Sequence, residues 1–172
     1  MRSVMTFLMA LALSALAGCR RNSPPIAQEA GSDTTLVVAL ERGACYGRCP
    51  EYSVELYESG RVIFNGTRNV ALVGAVTDTV TNAVVDSAKR LIGGSGFAAL
   101  DTAFVFGAPG CGQYATDLPV IVLRARVSGN VKSVRHELGC RGAPAVLESL
   151  ATQVDELTGT AVWIRGKQEA GK

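Results

Sequence analysis

A chain of 172 residues suits one domain with a sizeable core, and 17 basic against 15 acidic residues, a formal net charge of +2, give no global case for nucleic-acid binding. Five cysteines in so short a chain make the redox compartment the deciding question. The same thiols read as metal ligands or redox groups in a reducing compartment and as disulfides in an oxidising one.

At the N-terminus, Arg2 precedes an uncharged apolar run over residues 4–17, which is shorter than the roughly 20 residues that span a bilayer and reads as the core of an export signal. The run ends Leu16-Ala17-Gly18-Cys19, which resembles the lipobox of bacterial lipoproteins, where signal peptidase II cleaves before an acylated cysteine. That resemblance implies a signal peptide over 1–18, lipidation of Cys19 and a membrane partner reached through the lipid. Ordinary secretion is the alternative, because Ala15-Leu16-Ala17 also fits the A-x-A cleavage pattern. At about 0.8 kcal/mol per buried methylene, the multiple acylation expected of such a cysteine would make a lasting tether. Among lipoproteins an aspartate after the cysteine favours the inner membrane; Arg20 stands there instead, which implies the outer membrane, on its periplasmic or its outer side. After Cys19, residues 20–34 read RRNSPPIAQEAGSDT, too poor in large apolar side chains to bury itself, so 19–34 form a lipidated cysteine and a flexible tether. Removing 1–18 takes away Arg2 alone among charged residues and leaves 16 basic against 15 acidic.

The remaining chain divides into a single domain over 35–165 and a disordered tail over 166–172. Residues 35–40 are an apolar, β-rich run. Tyr52, Val54 and Leu56 alternate with Ser53, Glu55 and Tyr57 as a half-buried strand requires, and Ser59-Gly60 is a tight turn into a third strand over 61–65. Asp78 is placed to cap a helix whose apolar positions Val80, Val84, Val85, Ala88, Leu91 and Ile92 recur at helical spacing until Gly93-Gly94 ends it. Residues 120–127 and 131–138 form a second strand pair through Ser128-Gly129-Asn130. A second helix starts near Pro144, buries Val146, Leu147, Leu150, Val154 and Leu157, and stops at Gly159; Trp163 and Ile164 then close the core. The order β-β-β-α-β-β-α predicts an α+β fold, an antiparallel sheet of about five strands with two helices packed on one face.

The stretch Cys45-Tyr46-Gly47-Arg48-Cys49-Pro50-Glu51-Tyr52, followed by Ser59-Gly60-Arg61-Val62 and Gly66, resembles the C-x-G-x-C-P-x-Y opening of an uncharacterised domain family found in bacterial lipoproteins. Thr116-Asp117 and Trp163-Ile164 fit its later pattern, and the resemblance covers most of 35–165. Ser59 departs from it, since Asp or Asn is commoner before the turn glycine. The family carries no assigned activity, so the resemblance implies a domain and no catalytic residue.

The four cysteines left after Cys19 allow three chemistries. A zinc site wants close pairs, which Cys45 and Cys49 supply, but Cys111 and Cys140 stand 29 apart and export favours oxidation. A thioredoxin-like motif needs C-x-x-C at a helix start, whereas this is C-x₃-C before proline and a strand. Structural disulfides are therefore expected, with no metal and no cofactor. Residues four apart in an extended strand lie more than about 12 Å from each other, beyond the roughly 7 Å between Cα atoms that a disulfide tolerates. Gly43 and Gly47 let the chain turn back, so Cys45 is expected to bond Cys49 and Cys111 to bond Cys140. Loop-closure entropy alone would favour crossed pairings.

Of the other candidates, His136 is the only histidine. If Val127 pairs near Lys132, His136 lies opposite Leu123 on the face of Ile121, Val134 and Leu138, as a partly buried strand residue, and the chain has no G-x-S-x-G nucleophile elbow. The acids Asp101, Asp117 and Asp155 show no pairing spacing. The same register sets Arg124, Arg126, Ser133, Arg135 and Glu137 on the opposite face, with Arg124 facing Arg135, a candidate ligand surface. The glycine- and aromatic-rich loop from Phe104 to Ala115 is a second one. These readings converge on a membrane-anchored envelope protein with a non-catalytic binding or structural role toward an envelope protein or an acidic cell-wall component. The alternatives are an enzyme acting on an envelope substrate, or a metal-binding periplasmic domain. A deep pocket holding His136 beside an acid or a hydroxyl nucleophile would favour the enzyme.

Overall fold

Period-two alternation builds the first layer. The computed structural model describes residues 34–166, so the expected signal peptide (1–18), Cys19 with the tether as far as residue 33, and residues 167–172 of the expected tail lie outside the described residues. The strands are β1 (Leu36–Arg42), β2 (Glu51–Tyr57), β3 (Arg61–Arg68), β4 (Gly74–Thr79), β5 (Ala103–Phe104), β6 (Val120–Val127) and β7 (Asn130–Glu137). They form one sheet in the order β4-β3-β2-β1-β6-β7-β5, with β1 at its centre. Along β2 and β6 every second side chain is buried: Tyr52, Val54 and Leu56 in one, Ile121, Leu123 and Ala125 in the other. A bulge between Leu36 and Val38 brings Val37 into the core as well.

Two long helices pack on the core face. Helix α1 (Asn82–Gly94) buries Val85, Ala88 and Ile92, and α2 (Val146–Thr158) buries Leu147, Leu150, Ala151 and Val154, in both cases at helical spacing. Gly159, at φ 69°, stops α2. A short α3 (Ala161–Arg165) follows and sets the Trp163 ring 5.1 Å from that of Phe64, which in turn stacks 5.3 Å from Tyr52. On the other sheet face Ala39 lies between Glu55 and Arg124, which pair with each other at 2.8 Å. Among the described residues no helix is long and apolar enough to cross a membrane.

The fold is α+β, and its departures from expectation have physical causes. The sheet has seven strands rather than about five, and its β5–β7 pair is parallel. The sequence GAVTDT of β4 forms an edge that buries none of its residues fully, so it lacks the apolar alternation that marks a strand, and β5 is only two residues long. Asp78 does not cap α1. It sits in β4 opposite Val62, where its carboxylate accepts a hydrogen bond from the Thr79 N–H at 2.7 Å, and α1 begins at Asn82. The second helix starts at Val146, two residues after Pro144, and α3 is a third helix that the expected pair did not include.

Candidate functional site

A cleft of about 470 Å³ opens at the end of the sheet where β1 begins. That volume lies within the roughly 300–1,000 Å³ usual for small-molecule sites. Val37, Ile92, Ala98 and Val127 supply its apolar lining, and Glu58, Lys89 and Arg126 its charges. Local sequence makes each wall. The β1 bulge brings in Val37, and the glycine end of α1 leaves Gly93 without a side chain. Ser128 and Gly129, at φ 49° and 85°, form a two-residue hairpin turn that brings Ser128 to the cleft.

The same turn fixes Arg126. Its Nη1 donates to the Gly129 carbonyl at 2.7 Å and its Nε to the Leu36 carbonyl at 3.0 Å, and among the described residues no carboxylate lies within ion-pair distance of it. The other two arginines of the expected surface differ. Val127 pairs with Asn130, two residues off the expected register, so Arg124 faces Ser133 and Arg135 faces Val122 instead of each other. A slip of two preserves the face and changes every neighbour. Arg124 is neutralised by Glu55, and Arg135 lies 3.9 Å from Glu137. Lys89, on the cleft, is paired with Glu58 at 2.9 Å. Arg126 is thus the one arginine of the three held by neutral groups, and it lines a cleft.

His136 lies on the core face as expected, opposite Ile121 rather than Leu123, and is only 2% exposed. Neither ring nitrogen has a hydrogen-bond partner of good geometry, and the Phe104 ring sits edge-on at 6.4 Å. Burial pulls its pKa below the usual 6.5, and the Glu148 charge and the Cys140 backbone only partly oppose that pull. A buried imidazole without a well-formed hydrogen bond costs stability, so His136→Leu is expected to stabilise the fold by about 1 kcal/mol. The pH dependence has a defined sign. The unfolded histidine takes up a proton below about pH 6.5 whereas the folded one does so only at lower pH, so this group's contribution is intact above pH 6.5 and declines as pH falls toward the folded value. Thermal melts at about pH 7.5 and 5.0 should show a larger drop for the wild type than for His136→Leu; equal drops would contradict a depressed pKa.

Residues 36–158, more than half of the chain, match the model of a family described as a domain of unknown function, DUF6438. The chain belongs to the DUF6438 family. No curated protein matches it.

Within this DUF6438 domain the Cys45–Tyr52 stretch builds scaffold. Cys45 is bonded to Cys49 with Cα atoms 5.8 Å apart, and Cys111 to Cys140 with Cα atoms 4.4 Å apart. Gly47 takes φ 145° in the small loop, and at Gly43 a Cβ would lie 2.6 Å from Val120 Cγ1. Among the described residues no three His, Cys, Asp or Glu groups lie close enough to hold a metal. Tyr52 donates its hydroxyl to Asp155 Oδ1 at 2.7 Å; Thr160 Oγ1 donates to the same oxygen at 2.9 Å. Arg42 donates to Asp155 Oδ2 from Nε at 3.0 Å and from Nη2 at 2.8 Å, and from Nε to the Tyr52 oxygen at 2.9 Å. Burial first, then the Asp155 charge, pushes the Tyr52 phenol up, so it remains a donor. The cluster fastens the end of α2 to the sheet. It went unread in the sequence, although one signal was present: Arg42 follows Val38 and Leu40 at period two, and a charge at a core-facing position demands a partner.

The expected loop from Phe104 to Ala115 starts in the core, with Phe104 in β5 and buried. Beyond it the rings of Phe106 and Tyr114 meet on the surface, 4.9 Å apart and tilted by 55°. Just after the loop, the Asp117 carbonyl, on a residue at φ 71°, accepts the Tyr46 N–H at 3.1 Å, which ties the segment following the loop to the Cys45–Cys49 turn. These aromatics sit where β1 ends and β6 begins, at the opposite end of the sheet from the cleft.

Proposed function

We propose that this chain is an outer-membrane lipoprotein, anchored through an acylated Cys19, whose domain is a non-catalytic binding module of the cell envelope. The lipobox-like Leu16-Ala17-Gly18-Cys19 supports the anchor, and the pairing of the other four cysteines supports an oxidising compartment. The binding part is carried by one observation: Arg126, its guanidinium held by two backbone carbonyls and, among the described residues, out of ion-pair reach of any carboxylate, lines an open, mostly apolar cleft. An anionic envelope component suits that charge. The burial of His136 weighs against the enzyme alternative, since a histidine that is 2% exposed has no open route to a substrate.

The anchor is tested by Cys19→Ala. The substitution is expected to abolish palmitate incorporation and to move the protein from the detergent phase to the aqueous phase. Intact mass of the wild type provides the opposing result: an unmodified N-terminus at Gly18 would end the lipoprotein reading.

A further inference from the structure

The cleft beside Arg126 has a chemistry that narrows its ligand. One part is aliphatic, made by Val37, Ile92 and Val127, of which Val37 and Ile92 belong to the core. The polar part carries a guanidinium whose Nε and Nη1 are already bonded to carbonyls, so its direction is set before any ligand arrives. A guanidinium oriented in this way recognises a carboxylate by charge-assisted hydrogen bonds. Lys89 adds a second positive charge, partly satisfied by Glu58 at 2.9 Å. Side chains of this kind do not suit a sugar, which needs many convergent donors and acceptors, or a cationic ligand, which Arg126 would repel.

We propose that the cleft binds a single-chain aliphatic carboxylate, with its head group on Arg126 and its chain along Val37, Ile92 and Val127. This rests on the reading of the domain as a binding module and not on the lipid anchor, so failure of the Cys19 test leaves it standing. Chain length should control affinity: each methylene removed from water strengthens binding by up to about fourfold. The head group should control it through charge, since a cationic amphiphile of the same length meets the same apolar lining and the wrong partner.

The experiment is a calorimetric titration of the full chain carrying Cys19→Ala, in which no acyl group is attached, with decanoate kept below its micelle concentration. Decanoate is expected to bind at one site, octanoate more weakly, acetate not at all, and decyltrimethylammonium at least about tenfold more weakly than decanoate. Arg126→Gln should weaken decanoate binding about tenfold or more. Arg126 also bonds two carbonyls, so a second variant guards against a mere folding defect. A Cβ at Gly93 meets nothing within 4 Å, so Gly93→Leu should fold normally, fill the open space and block the chain. Arg135→Gln, outside the cleft, should change nothing. Absence of decanoate binding at millimolar concentration, or equal affinity in wild type, Arg126→Gln and Gly93→Leu, would overturn the proposal. So would crosslinking of residues 20–33 to Ser128 in the full chain, which would give the cleft to the chain's own N-terminal segment.

Discussion

Replacing Cys111 and Cys140 together by alanine is expected to cost about 3.6 kcal/mol of stability, against about 2 kcal/mol for the same change at Cys45 and Cys49. The difference comes from the loops that the bridges close. The first spans 29 residues and removes much of the freedom of the unfolded chain, whereas the second spans 4. Position reinforces the ranking. Cys111 and Cys140 are both 3% exposed and belong to the core, and the backbone around them is laced by the Tyr114–Cys140 bridge and by the Gly142 N–H bonded to the Cys111 carbonyl at 2.8 Å. Urea unfolding of the two double variants measures this directly. A loss at Cys111–Cys140 no larger than at Cys45–Cys49 would show that the unfolded chain is already compact there, contrary to the entropic argument.

Asp155→Ala is expected to lose about 3 kcal/mol, because it leaves Arg42 and Tyr52 partly buried without their acceptor. The pair is not fully enclosed, with 26% of the Arg42 and 18% of the Asp155 side chain exposed, which places the effect at the lower end of the range for buried ion pairs. Tyr52→Phe removes one neutral donor and should cost about 1 kcal/mol. The double variant Arg42→Met with Asp155→Leu should recover most of the loss, since it removes both charges together. Chemical denaturation of the three variants separates the cases. A double variant less stable than Asp155→Ala would mean that the cluster is held by something other than mutual neutralisation.

Much of the core face was legible because burial leaves a period in the sequence. Tyr52, Val54 and Leu56 in β2, and the apolar spacing of both long helices, predicted faces that the structure shows. The cysteine pairing was expected because Gly43 and Gly47 let the chain turn back within disulfide reach, and it too is the pairing observed. What stayed hidden lacks such a period. Strand β4 is a polar edge, and Asp78 in it looks like a helix cap because caps favour Asp while an exposed edge merely tolerates its charge. The β6–β7 register turned on two backbone angles, at Ser128 and Gly129, that convert an apparent three-residue loop into a two-residue turn. That slip left His136 on its correct face but broke up the expected arginine patch, and Arg126 was left lining the cleft at the start of β1. The cleft itself joins the start of β1, the end of α1 and a hairpin turn, three places far apart in the chain, and no local pattern announces such a meeting.

The central claim is that the Cys45–Tyr52 stretch holds the domain together while ligand chemistry resides at the opposite end of the sheet. Backbone amide shifts recorded during a decanoate titration of the Cys19→Ala chain test it most directly. Saturable shifts are expected, centred on Val37, Ile92, Gly93, Val127 and Ser128, with Gly47, Phe106 and Asp117 unmoved. Shifts centred instead on Tyr46, Phe106 and Tyr114 would contradict the claim and move the binding surface to the disulfide-tied loops.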